Sequence, residues 1–148
     1  MTLITDQPSL DAFCARMRGE RFVAMDTEFM RDRTYYPKLC LVQVAGAGEA
    51  VAIDPLAPGL DLAPLLAVLA DPGVLKVMHA ARQDLEIFFH LGQLPAPFFD
   101  TQVAAMVCGF GEQAGYETLV KKIAKAEVDK SARLTDGSRR PLSEAQMK

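Results

Sequence analysis

The spacing of apolar positions changes along the chain, and that spacing separates helices from strands. Leu10, Phe13, Cys14 and Met17 recur at helical intervals behind Thr5 or Asp6 as cap and Pro8 in the first turn, with Gly19 as a stop. Three strand-like runs follow, Arg21 to Phe29, Leu39 to Ala45 and Ala50 to Asp54, divided by the turn signals Tyr36-Pro37 and Gly46-Ala47-Gly48. Connections this short predict antiparallel strands paired in succession. The rhythm then alternates. A short helix over Leu62 to Leu69 ends at Asp71-Pro72-Gly73, a buried strand covers Val74 to Met78, and a helix covers Ala80 to Leu91 with Leu85, Phe88 and Phe89 inward and Gly92 as its stop. Phe98-Phe99 forms a short strand, and Asp100-Thr101 caps a helix running to about Val107. A last helix over Tyr116 to Ala126 sets Leu119, Val120, Ile123 and Ala124 inward and Lys121, Lys122 and Lys125 outward. The expected class is α/β: a mixed sheet of three antiparallel strands and then parallel ones, flanked by helices.

Composition narrows the picture. The 148 residues suit one domain spanning the whole chain, and an apolar half with a charged quarter supports a buried core. No apolar run approaches the ~20 residues of a membrane span, and the N-terminus lacks a secretion signal's pattern. Cys14, Cys40 and Cys108 are odd in number and lack ligand spacing, which predicts reduced cytoplasmic thiols. Sixteen basic against nineteen acidic residues give a net charge of −3, arguing against a broadly basic nucleic-acid-coating surface while leaving an enzyme that grips a strand end.

The first chemistry lies in Met25-Asp26-Thr27-Glu28-Phe29, at the close of the first long strand. With a period of two, Asp26 and Glu28 share one face and Val23, Met25, Thr27 and Phe29 the other. Two carboxylates about 7 Å apart on a strand repel each other unless a cation lies between them, and hard oxygen donors suit Mg²⁺ or Mn²⁺. Asp84, on the helix after the buried strand, supplies a third acid at the core's border. His79 reads as a hydrogen-bonded neutral histidine and Asp100 as a helix cap rather than a metal ligand.

Together these segments resemble the ribonuclease D family, within the DEDD superfamily of 3′–5′ exonucleases. Asp26-Thr27-Glu28-Phe29 with Arg31, Arg33-Thr34-Tyr35-Tyr36-Pro37, Leu39, Leu41 and Gln43 is similar to the family's first exonuclease motif, and His79 to Leu85 followed by Phe99-Asp100-Thr101-Gln102 to its second. Asp129-Lys130-Ser131 through Arg139-Arg140-Pro141-Leu142-Ser143-Glu144 resembles the approach to the third. The resemblance implies a ribonuclease-H-like fold that hydrolyses nucleotides from an RNA 3′ end, such as a tRNA precursor, with two divalent metals. It maps three metal-binding, catalytic acids onto Asp26, Glu28 and Asp84. Asp26 would bridge both ions, Glu28 would bind the water-activating one, and Asp84 would act through metal-bound water. Phe29 and Met30 fall where the superfamily wedges terminal bases apart, and His79 and Gln83 fall near the terminal nucleotide.

The family's third motif adds a Tyr and, four residues on, a fourth Asp, both of which alignment places just after Lys148. Tyr35, Tyr36 and Tyr116 belong to other segments, and Gly137 stands where the family commonly has Trp. The Ser143-Glu144-Ala145-Gln146 capping box opens a helix about one turn before Lys148, which predicts a chain cut inside an element and impaired in catalysis. Phosphate contacts are expected from Arg31, Arg33 and Lys38 or from Arg133, Arg139 and Arg140. Two alternatives stay open: a non-catalytic RNA-binding or scaffold domain, and a DNA-directed 3′–5′ exonuclease.

Overall fold

The computed structural model describes residues 1–31, 35–128, 138 and 140–143. Asp6 caps α1 (Gln7–Met17) by accepting the Ser9 amide at 3.0 Å, and the stripe Leu10, Phe13, Cys14 and Met17 is buried as its spacing requires. Next come β2 (Phe22–Met30), β3 (Lys38–Ala45) and β4 (Ala50–Ile53), antiparallel neighbours in succession. One strand escapes the sequence pattern: β1 (Thr2–Ile4) is a three-residue edge strand parallel to β4, too short to show any alternation. After α2 (Ala63–Ala70), β5 (Leu75–Met78) runs parallel to β2, and β6 (Phe98–Asp100) runs parallel to β5. Between those two strands lies α3 (Arg82–His90), and β6 leads directly into α4 (Thr101–Val107). The six-stranded mixed sheet has the order β1-β4-β3-β2-β5-β6.

One face of the sheet carries the core. Val23 and Met25 of β2, Val42 and Val44 of β3, and Val51 and Ile53 of β4 pack against the apolar stripes of α1 and α2 and against Phe88 of α3. Lys76 of β5 also points inward and is fully buried. Its ammonium group donates to the carbonyls of Asp71, Val74 and Ala96 at 2.6–2.7 Å, so each of its three protons has an acceptor. The opposite face, with Ala24, Asp26, Gln43 and Ala45, forms the floor of an open groove of about 390 Å³.

Three expectations need correction. Helix α3 starts at Arg82, because Ala80 takes the left-handed conformation at φ 54°. Its buried stripe is Asp84, Ile87 and Phe88, while Phe89, expected inward, is 65% exposed. Phe89 lies about 100° around the helix from Phe88, beyond the core-facing arc. The last helix is regular only over α5 (Tyr116–Leu119), after which Val120–Ala124 form a π-helical turn that ends at left-handed Lys125. The wider turn changes the phase of the side chains, so Leu119 is buried while Ile123 and Ala124, expected inward, are exposed. Lys121, Lys122 and Lys125 are exposed as expected. The residues 129–137 and 144–148, which include Arg133, Gly137 and most of the capping box, lie outside the described residues, as do Arg33 and Arg139. Among the described residues no helix is long and apolar enough to cross a membrane.

Candidate active site

The sheet places an acidic mouth at the carboxyl end of β2. This strand pairs with β5 only over Phe22–Ala24 and with β3 along Ala24–Met30, so its edge from Met25 onward is left uncovered by β5. Strand order reverses its direction of growth here, with β3 and β4 to one side of β2 and β5 and β6 to the other. Open sheets bind ligands at such switch points. Alternation along β2 sends Thr27 into the core and leaves Asp26 and Glu28 exposed on the groove face. A register shift between Glu28 and Phe29 then interrupts the ladder, and Phe29 and Met30 are both half-buried.

Asp84 enters from the first turn of α3. It is buried, and its Oδ1 accepts a hydrogen bond from the Thr27 hydroxyl. Thr27 was legible only as a core-facing residue between two acids. Its role in fixing Asp84 depends on a contact 57 positions away. Asp26 has the accessible surface of an exposed residue and the dense protein surroundings of a buried one, a combination that a concave site produces. Loss of hydration is the chief cause that pushes its carboxyl up to about 6, and the charges of Asp84 and Glu28 push the same way. Glu28 is raised by burial and then by Asp84, and Asp84 is raised mainly by burial against the opposing Thr27 bond. Among the described residues none of the three makes an ion pair with Lys or Arg, and Arg31, at the end of β2, is engaged by Glu86.

The turn that launches α3 is clamped from the neighbouring strand end. Asp100 accepts the amides of Ala80 and Ala81 at 3.0 Å and that of Gln102 at 2.8 Å. One carboxylate thus caps α4, as expected, and also holds the left-handed Ala80 turn, which spacing could not show. Burial alone would raise the Asp100 pKa, but these amides together hold it below the usual carboxylate range. Thr101 donates its hydroxyl to the Met78 carbonyl, so the contact at 2.9 Å from His79 Nδ1 is best made by a ring that donates from Nδ1. This turns the Nε2 edge of His79 away from Thr101. The ring lines the groove with Asp26 and lies 5.7 Å from Tyr116. Gln83 is exposed on α3 beside Asp84.

These donors suit a hard divalent cation, because Mg²⁺ takes one or two carboxylates and completes its shell with water and phosphate oxygens. Among the described residues no three of the His, Cys, Asp and Glu side chains already converge on one point. The arrangement is a set of mutually repelling oxygen donors rather than a closed cage. Arg140, expected as a phosphate contact, serves another purpose. Its guanidinium grips Asp54 at 2.6 Å through both Nε and Nη2 and donates to the Cys40 carbonyl at 2.8 Å. A bidentate bond to a buried carboxylate leaves this group committed to the fold.

A family model for 3′-5′ exonuclease domains matches residues 1–148. The ribonuclease D of Jannaschia sp. (strain CCS1) is 62% identical over 148 residues, covering 97% of this chain and 38% of its own length. The crystal structure of Escherichia coli RNase D, an exoribonuclease involved in structured RNA processing, superposes with a TM-score of 0.93 at 40% identity, across 99% of this chain and 39% of that one. The Mg²⁺-bound structure of Brucella melitensis NrnC gives a TM-score of 0.79 at 26% identity, across 99% of this chain and 72% of that one. The chain therefore spans about two fifths of the length of the ribonuclease D relatives. With its mixed sheet and acidic mouth already described, the chain belongs to the ribonuclease D family of 3′–5′ exonucleases.

Proposed function

We propose that this chain is the nuclease domain of a cytoplasmic, metal-dependent exoribonuclease that removes nucleotides from the 3′ end of RNA, with tRNA-precursor-like molecules as substrates. The observation that carries the reading is the clustering of Asp26, Glu28 and Asp84 around one strand end, where burial raises all three, the charge of Asp84 raises Asp26 and Glu28 further, and no basic side chain among the described residues forms an ion pair with them. Such a site gains most from a divalent cation. Asp26, Glu28 and Asp84 would hold two ions, Mg²⁺ or Mn²⁺. When bound, the pair supplies water activation and stabilisation of the leaving 3′ oxygen.

The chain's own residues do the rest. Thr27 keeps Asp84 turned toward β2. Asp100 keeps the turn that carries His79 and Asp84 in place. Phe29 and Met30, just past the acids and half-buried, meet the terminal bases. His79 orients the terminal nucleotide through Nε2, and Gln83 binds beside it. Single-turnover trimming of a 5′-labelled RNA with Mg²⁺ or Mn²⁺ tests the reading. The expected product is a ladder shortened from the 3′ end, and Asp26→Asn lowers the rate at least about a thousandfold while RNA affinity stays within a few fold. Trimming by Asp26→Asn at the wild-type rate contradicts it, and RNA held without trimming by the wild type favours the scaffold reading.

A further inference from the structure

Beyond the acids, the same seam between β2 and α3 carries aromatic rings in water. Successive positions on one stripe of α3 mark its course: Gln83, Glu86 and His90 are spaced three and four residues apart, so they line one side of the helix. Gln83 lies beside Asp84. Glu86 holds Arg31 across the seam. His90 packs against Tyr36 with ring centroids 4.5 Å apart, and Tyr36 meets Tyr35 edge-on at 5.0 Å. Phe89 extends the group on the other side of His90, at 5.7 Å. Tyr35 is 87% exposed, Phe89 65% and Tyr36 57%. The helix rises about 9 Å from Asp84 to His90, so these rings stand one to two helical turns beyond the acids.

A hydrophobic contact made only to hold the loop after β2 would turn the rings inward. Here the side chains stay exposed, joined in a chain of edge-to-face contacts. Exposed rings in a row beside a site that handles phosphodiesters match the chemistry of unpaired nucleobases, which stack on aromatic faces without regard to sequence. Exposed Lys38, paired in register with Met30, adds positive charge at the strand end leading to the rings.

We propose that Tyr35, Tyr36, His90 and Phe89 form a stacking platform for unpaired RNA bases upstream of the 3′-terminal nucleotides. The proposal rests on the exoribonuclease reading and adds to it a grip on single-stranded tails. A tail too short to reach the platform loses that grip, so the rings set how much unpaired RNA the protein needs.

The test measures binding of a 5′-fluorescein-labelled oligoadenylate of twelve nucleotides in Mg²⁺, with Asp26→Asn in every protein so that the RNA stays intact. Tyr35→Leu combined with Tyr36→Leu raises Kd about tenfold or more, and Tyr35→Phe with Tyr36→Phe restores most of the affinity. On the same oligonucleotide with abasic sites at the third to sixth positions from the 3′ end, the Leu pair and its parent differ by less than about twofold, because the bases that stack are gone. Val107→Ala, at an exposed apolar position on α4, is the control and leaves Kd unchanged. Equal losses on the intact and abasic oligonucleotides, or no loss on either, overturn the platform. Trimming of the intact oligonucleotide by the wild-type protein is scored separately. If trimming persists, only the platform has failed; if the wild type neither binds nor trims, the exoribonuclease reading falls with it.

Discussion

Two sets of acids at the strand ends of this molecule are treated in opposite ways. Asp54, at the end of β4, receives both arms of the Arg140 guanidinium and the Leu56 amide, and its pKa falls. Asp100, at the end of β6, receives several backbone amides, and its pKa falls as well. At the end of β2, Asp26 and Glu28 lie within reach of the charge of Asp84, and all three rise. The Thr27 hydroxyl relieves only Asp84, and only in part. Acids that hold a fold together are satisfied by the fold itself. The β2 acids are left to repel one another, which destabilises the folded protein and makes sense where an external cation completes the site.

The contrast can be broken from its satisfied side first. Arg140→Met leaves the Asp54 carboxylate buried without its partner and should cost about 3 kcal/mol in urea unfolding at pH 7. The sign follows from the lowered pKa of Asp54. Its contribution is present above the unfolded value near 3.8 and is lost as pH falls through the folded value, so the variant and the wild type converge in acid. Asp100→Ala strands the amides of Ala80, Ala81 and Gln102 and should cost about 2 kcal/mol. It should also weaken divalent-ion binding, since the turn it clamps carries α3 and Asp84. Ala80→Gly, which accepts φ 54° without strain, should recover part of that loss in the Asp100→Ala background.

The smallest effect has the opposite sign. Asp26 keeps its proton to about pH 6 when folded and to about 3.8 when unfolded, so stability falls as pH rises between those values. Asp26→Asn should therefore stabilise the metal-free protein by about 1 kcal/mol at pH 8, a figure reduced from the full shift because solvent reaches the side chain. The gain should vanish below about pH 4. Thermal unfolding in chelator across that pH range measures it.

Much of this arrangement was legible in the chain. Alternation in Val23 to Glu28 put the two acids on one face, and helical spacing in α1 identified its buried stripe residue by residue. What stayed hidden depended on partners distant in sequence. Thr27 finds Asp84, Asp100 finds Ala80 and Ala81, and Arg140 finds Asp54 across 86 positions. Periodicity reports which way a residue points and says nothing about what it meets. β1 was missed because three residues carry no period, and the inward placement of Phe89 and Ile123 failed where an arc of α3 and a widened turn departed from a simple apolar face. Arg140 shows the same limit from the other side, since a basic residue in a basic cluster reads as a phosphate contact until its buried acid is seen.

The unsatisfied acids at the end of β2 are proposed to hold a divalent cation. Titration of Mn²⁺ into the metal-free protein, followed by electron paramagnetic resonance of the free ion, tests this proposal directly. Asp26→Asn and Glu28→Gln should each weaken binding at least about tenfold, whereas Asp54→Asn, on the satisfied side and measured at low temperature, should leave it unchanged. Mn²⁺ binding that survives both β2 substitutions, or that depends equally on Asp54, would contradict it.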